Sequence, residues 1–159
     1  MKLKSTLLSA GLLLTLTATP LSTSHAILDK TRFVLHLGAA YYAFHHWDLA
    51  PFKAGKFSAG APGRTGNIVK AGLALAFAAH EVSVAKKIAD TSKSPILMKL
   101  DGALGSLTGR MNTVSNDLKA GKLNPADIQA LESDTNSLSS SAAAAGQPIK
   151  DIAAPIPGL

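Results

Sequence analysis

Between Phe33 and Leu49 the chain has no face polar enough to meet water. At 100° per residue, Phe33, Leu37, Tyr41 and Phe44 line one side of a helix, and Leu35, Gly38, Tyr42, His45 and Leu49 line another. A helix apolar nearly all round must be buried by neighbours on several sides. This segment is therefore expected to be the central helix of an all-α protein. It carries five of the eight aromatic residues (Phe33, Tyr41, Tyr42, Phe44, Trp47) and three of the five histidines (His36, His45, His46).

Asp29 is a suitable N-cap for it, and Ala50-Pro51 is the expected stop, because a residue before proline is pushed out of the helical region. Pro51 to Gly66 then reads as one long loop, rich in glycine and pinned by Phe52 and Phe57. A second helix is predicted from Asn67 to Asp90, with Val69, Leu73, Phe77, His80, Val84 and Ile88 on one stripe. Its small residues Ala71, Gly72, Ala74, Ala76, Ala78 and Ala79 suit close approach to the bulky first helix, in an antiparallel hairpin. The uncharged run between Lys70 and His80 is too short for a membrane span, which needs ~20 apolar residues.

Ser94-Pro95 and Asn124-Pro125 each have the form of a helix start, with a cap followed by proline at the first helical position. The third helix is expected from Pro95 to Ala120, along the seam Ile96, Leu100, Leu104, Leu107, Met111, Val114 and Leu118. Gly102, Gly105 and Gly109 interrupt it as close-packing points or bends. Gly121 supplies a left-handed cap. The fourth helix, with Ile128, Leu131, Thr135, Leu138, Ala142 and Ala145 at alternating spacings of three and four, pairs with the third as a second hairpin. The expected architecture is an all-α, four-helix bundle of two hairpins over residues 27–146. A proline-rich tail, residues 147–159, is too short to fold alone.

The first 26 residues read as a secretory signal peptide. Lys2 and Lys4 form a charged start, Leu7 to Thr17 an apolar core, and Ser24-His25-Ala26 a cleavage site. A secreted or extracytoplasmic protein, cut after Ala26 and without a span in the mature chain, is the expectation. The chain has no cysteine, so neither disulfides, nor thiol-ligated zinc, nor cysteine catalysis is open to it. The fold must rest on its apolar core, for which a chain of this length suffices.

The formal charge is +6, and losing Lys2 and Lys4 would leave a mild excess of base. That excess lies in the first half. Nucleic-acid binders concentrate Lys and Arg more densely, so the composition argues against nucleic acid as a partner, and an anionic cell-envelope component or another protein fits better. The candidate contact residues are Lys53, Lys56, Arg64 and Lys70, gathered around the glycine-rich run Gly60 to Gly66, whose amides and following helix start resemble an anion cradle. It is not a P-loop, because the Lys-Ser/Thr pair is missing. The alternative site is a metal or haem pocket from His45, His46 and His80, for which the spacing is poor: no H-x-x-x-H pair is present. Catalytic sets such as G-x-S-x-G are absent, which argues against an enzyme, and no cofactor is expected. Self-association is open to the leucine seams of the third and fourth helices, should that hairpin stand clear of the body.

Overall fold

The computed structural model describes residues 22–159, with side chains from His25 onward. The charged and apolar segments expected of a signal peptide, Lys2 to Thr17, lie outside the described residues. Among those described there are helices and turns and no strand. In order they are α1 (Ser22–Phe44), a π-helical turn (His45–Leu49), α2 (Ala50–Lys53), α3 (Arg64–Thr91), α4 (Pro95–Met98), α5 (Asp101–Lys119) and α6 (Pro125–Ala144).

The expectation that Pro51 ends the first helix is corrected. The helix runs on into α2, and what changes is its winding. A proline in a helix donates no hydrogen bond, and its ring collides with the carbonyl four residues back. The π-turn just ahead of Pro51 widens the coil, with the Ala50 amide donating to the His45 carbonyl five residues back. With α2 on one side and α3 starting at Arg64 on the other, the connection shrinks to residues 54–63. Phe57, buried at 2% exposure, pins it to the core beside Phe52.

The helix gripped from both sides is α3, which corrects the expectation that the aromatic helix is central. It packs along α1 on one flank and α5 on the other. His36 meets Glu81 while Trp47, further along the first helix, faces Lys70, and Lys86 meets Asp101 while Gly72 meets Lys119, so α3 runs antiparallel to each. Ala71, Gly72, Ala74, Ala78, Ala79, Ala85 and Ala89 are all buried. By length and composition α3 could cross a membrane, and half of its most apolar stretch is buried inside the body. Gly72 is the closest approach, and its neighbour is α5 rather than α1. A Cβ there would lie 2.8 Å from the Lys119 amide nitrogen and 3.1 Å from Leu118 Cβ. The buried Ser115 hydroxyl donates to the Gly72 carbonyl at 2.8 Å.

The predicted third helix is broken. Lys99 and Leu100 form a turn between α4 and α5, which puts Asp101 in the first turn of α5, where a carboxylate is favoured by the helix dipole. Lys86 Nζ sits 2.6 Å from Asp101 Oδ1 and 2.9 Å from Asp90 Oδ2. Its hydrogen bonds to these carboxylates raise its pKa, and Lys86 in turn lowers that of Asp101. The seam is buried over most of its expected length: Leu104, Leu107, Met111, Val114 and Leu118 on α5, with Leu100 in the turn before it, and Ile128, Leu131, Thr135, Leu138 and Ala142 on α6; its expected ends, Ile96 and Ala145, are only half-buried, and Leu97 takes the core place expected of Ile96. Gly102 and Gly109 are not close-packing points, since a Cβ on either would meet nothing within 4 Å. Gly121 at φ +74 closes α5 in a Schellman motif, with the Lys122 amide on the Asp117 carbonyl and the Gly121 amide on Leu118. The Asn124 side chain caps α6 by accepting from the Ala126 amide. At 2.8 Å the Tyr41 hydroxyl donates to the buried Thr135 carbonyl and ties α6 back to α1.

In a helix interior, Gly→Ala ordinarily gains about 1 kcal/mol. Gly72→Ala is expected to do the reverse, losing about 1–3 kcal/mol because backbone on α5 must move. Gly109→Ala, with open space around it, is expected to show the ordinary gain. Urea denaturation of the two variants decides; equal stabilisation in both would mean that α3 and α5 are not in contact at Gly72.

Candidate functional site

The π-turn and α2 stand over the first two turns of α3, and between them is an open cleft of ≈ 360 Å³. Its walls are His46, Trp47, Ala50, Pro51, Ala54, Lys56, Asn67 and Lys70. The turn is what aims its part of the lining. His46 and Trp47 are consecutive residues of the wide coil; the His46 ring stacks on Tyr42 (centroids 5.2 Å, 11° apart) and meets the Trp47 ring edge-on at 5.2 Å. Opposite them α3 supplies Asn67 and Lys70 one turn apart, and the connection supplies Lys56.

Of the four basic residues singled out from sequence, two come together here. Lys56 and Lys70 are exposed, line the same cleft, and among the described residues neither makes an ion pair. The other two are engaged elsewhere. Because the helix continues into α2, Lys53 turns towards α6 and holds Glu132 Oε1 at 2.7 Å. Arg64 is half-buried and its Nε donates to the Phe57 carbonyl at 2.9 Å, closing the loop on itself. A solvated Arg64, free to meet a partner, is therefore not what the fold provides; the residue fastens the connection instead.

The histidines are dispersed. His36 Nδ1 lies 2.6 Å from Glu81 Oε2, joining α1 to α3. His45 Nδ1 lies 2.8 Å from Asp151 Oδ2 of the tail. His46 lines the cleft, and His80 is exposed on α3. No group of three or more His, Asp or Glu side chains close enough to hold a metal ion occurs among the described residues.

Sequence reasoning passed over Asp48. It lies inside the π-turn, is 0% exposed, and neither carboxyl oxygen has a hydrogen-bond partner. An isolated buried carboxylate is strongly disfavoured, so the group neutralises. Burial holds its pKa well above the ordinary carboxyl range. Its position carried the signal: residue 48 follows Phe44 by four and Tyr41 by seven, on the buried stripe of that helix. π-Turns are frequent at functional sites, and this one presents His46 and Trp47 to the cleft while keeping a neutral acid in the core behind them. Tyr41, on the same stripe, has its phenol pKa raised, first by burial and then by the charge of Asp151.

Comparison with protein-family models, with curated proteins and with solved structures gives no match, so the reading of this cleft rests on its own residues.

The folded chain holds the Asp48 proton more tightly than the unfolded chain does. Its contribution to stability is thus complete below the ordinary carboxyl pKa of ~3.9 and is lost as pH rises from there through the folded value, at up to ~1.4 kcal/mol per pH unit. Asp48→Asn does not titrate. Urea midpoints across pH 4 to 8 are expected to fall more steeply for wild type than for Asp48→Asn; parallel profiles would show that the group is already charged or exposed in the native state.

Proposed function

We propose that the chain is an exported, non-enzymatic helical protein, envelope-associated or secreted, that binds an anionic group of a surface or protein partner in the cleft at the π-turn. The observation that carries this reading is the convergence of Lys56 and Lys70, neither of them ion-paired among the described residues, on one concave surface with Asn67, His46 and Trp47. Two ammonium groups and an amide suit phosphate or carboxylate oxygens, and the indole beside them suits the apolar or planar body that carries such a group. Export after cleavage behind Ala26 is supported by the three-part pattern of the first 26 residues. A working body of four helices in two hairpins, α1 with α3 and α5 with α6, is supported by the contacts His36–Glu81 and Arg110–Asp134 between the paired helices.

Trp47 is the sole tryptophan of the chain and lines the cleft, so it reports occupancy directly. Chain purified from its host is expected to have the mass of residues 27–159. Titrated with phosphatidylglycerol vesicles or with inorganic phosphate, it is expected to show a saturable change in fluorescence. Binding should weaken as salt shortens the screening length from ~10 Å at 0.1 M towards ~3 Å at 1 M. The combined Lys56→Gln and Lys70→Gln change is expected to weaken binding at least tenfold and to leave stability within about 0.5 kcal/mol, as for other exposed sites. Lys53→Gln is expected to leave binding unchanged. An intact Met1 would remove the export assignment, and identical titrations of wild type and the double variant would remove the cleft.

A further inference from the structure

The proline-rich tail is not a loose end. After α6 the chain turns at Gly146 (φ +75), again in a Schellman motif, with the Gln147 amide on the Ala142 carbonyl and the Gly146 amide on Ala143. It then runs without helix or strand across α1. The Ile152 amide donates to the Gly38 carbonyl at 3.0 Å. Gly38 is the notch that lets it lie there: a Cβ at that position would be 2.5 Å from the Lys150 carbonyl oxygen and 2.7 Å from Ile152 Cδ1. Beyond the notch Ile156 is buried in the core at 7% exposure, and Gly158 passes over Leu73 of α3. Ile149 packs against the same core, and Asp151 reaches His45.

A segment held by a backbone hydrogen bond, isoleucines at intervals of three and four and one histidine–carboxylate contact is a peptide seated in a groove. A net hydrogen bond contributes about 0.5–1.5 kcal/mol, a half-exposed polar contact such as His45 with Asp151 about 0–1 kcal/mol and the burial of Ile156 about 1.5–3 kcal/mol, less than the stability of a whole domain, so the tail belongs to the part of the molecule that opens locally before the rest unfolds. The contacts made by residues 149–158 to α1 and α3 do not depend on which chain supplies the segment. By contrast, the leucine seams of α5 and α6 are buried inside the body, where a second copy cannot meet them.

We propose that the groove over Gly38 is a peptide-binding surface whose partner is the same segment of a second copy, so that two chains associate by exchanging residues Ile149 to Gly158. Linkage on one chain keeps the tail at an effective concentration in the millimolar range. Exchange therefore emerges when chains are crowded to that level, and Gly146-Gln147-Pro148 is the hinge about which the tail opens. Nothing in this inference depends on the cleft at the π-turn.

The absence of cysteine makes the test clean. A His45→Cys chain and a mass-labelled Asp151→Cys chain, one thiol each, are refolded together at ~1 mM and treated with a short thiol crosslinker. Within one chain no product can form. Exchange brings position 45 of one chain against position 151 of the other, so mixed dimers are expected to exceed the statistical share by at least tenfold over like-with-like dimers. Gly38→Leu in the His45→Cys chain fills the notch and is expected to restore the statistical ratio. So is Ile152→Asp in the Asp151→Cys chain, which leaves the acceptor groove intact should Gly38→Leu disturb α1. An excess of synthetic peptide of residues 147–159 is expected to suppress the mixed product as well. A statistical ratio in the unmodified pair, or a mixed product insensitive to Ile152→Asp and to the peptide, would overturn the proposal.

Discussion

Everything in this molecule leans on the small-residue faces of α3. Two helices approach it closely because Ala71, Gly72, Ala74, Ala78 and Ala85 keep much of its surface low, and the bulk that fills the core against those positions comes from the neighbours, Phe33, Leu37 and Phe44 from α1 and Leu104, Leu107 and Met111 from α5, alongside Ile68, Leu75 and Val82 of α3 itself. The division of labour is physical. A helix with little side-chain volume gains stability through dispersion contacts with what surrounds it rather than through its own bulk. Without disulfides, this packing and the Tyr41 and Ser115 hydrogen bonds across it hold the helices together.

The functional region inherits its shape from one conflict inside that arrangement. Pro51 falls where α1 still has core to cover, and the chain resolves the clash by widening one turn instead of ending the helix. The wider turn sends His46 and Trp47 outward and Asp48 inward, and it lets α2 continue far enough for Lys53 to reach Glu132. The tail touches the same turn at its first residue, through Asp151 and His45. Thus a single irregular turn borders the cleft on one side and is tied to the tail groove on the other.

Much of this architecture was legible in the sequence. The seams of α5 and α6, the caps at Asn124 and Gly121, and the pairing of α1 with α3 follow from spacing and from glycine and proline chemistry. What spacing cannot report is which of several buried helices is gripped from two sides. The apolar content of the aromatic helix pointed there, yet the alanines of α3 decide it, because close approach needs small side chains on one partner only. The local rule for proline was misleading for a related reason: tertiary packing kept the helix going past it. Partnerships far apart in the chain, His45 with Asp151, Tyr41 with Thr135, Lys53 with Glu132, leave no trace in local pattern. Hence two of the four basic candidates lie outside the cleft, and the docking of the tail left no local signal. Asp48 was within reach, as an acid on an otherwise apolar stripe.

Native-state hydrogen exchange bears most directly on α3 as the element that the fold depends on. If it is gripped on both flanks, its amides from Ile68 to Ala89 exchange only through global unfolding, with the same free energy and denaturant dependence as the whole-chain transition. Residues 149–158 and the outer turns of α1 and α6 then exchange through smaller openings. Amides of α3 exchanging at lower free energy than those of α1 and α5 would contradict the account, and would make the aromatic helix the centre after all.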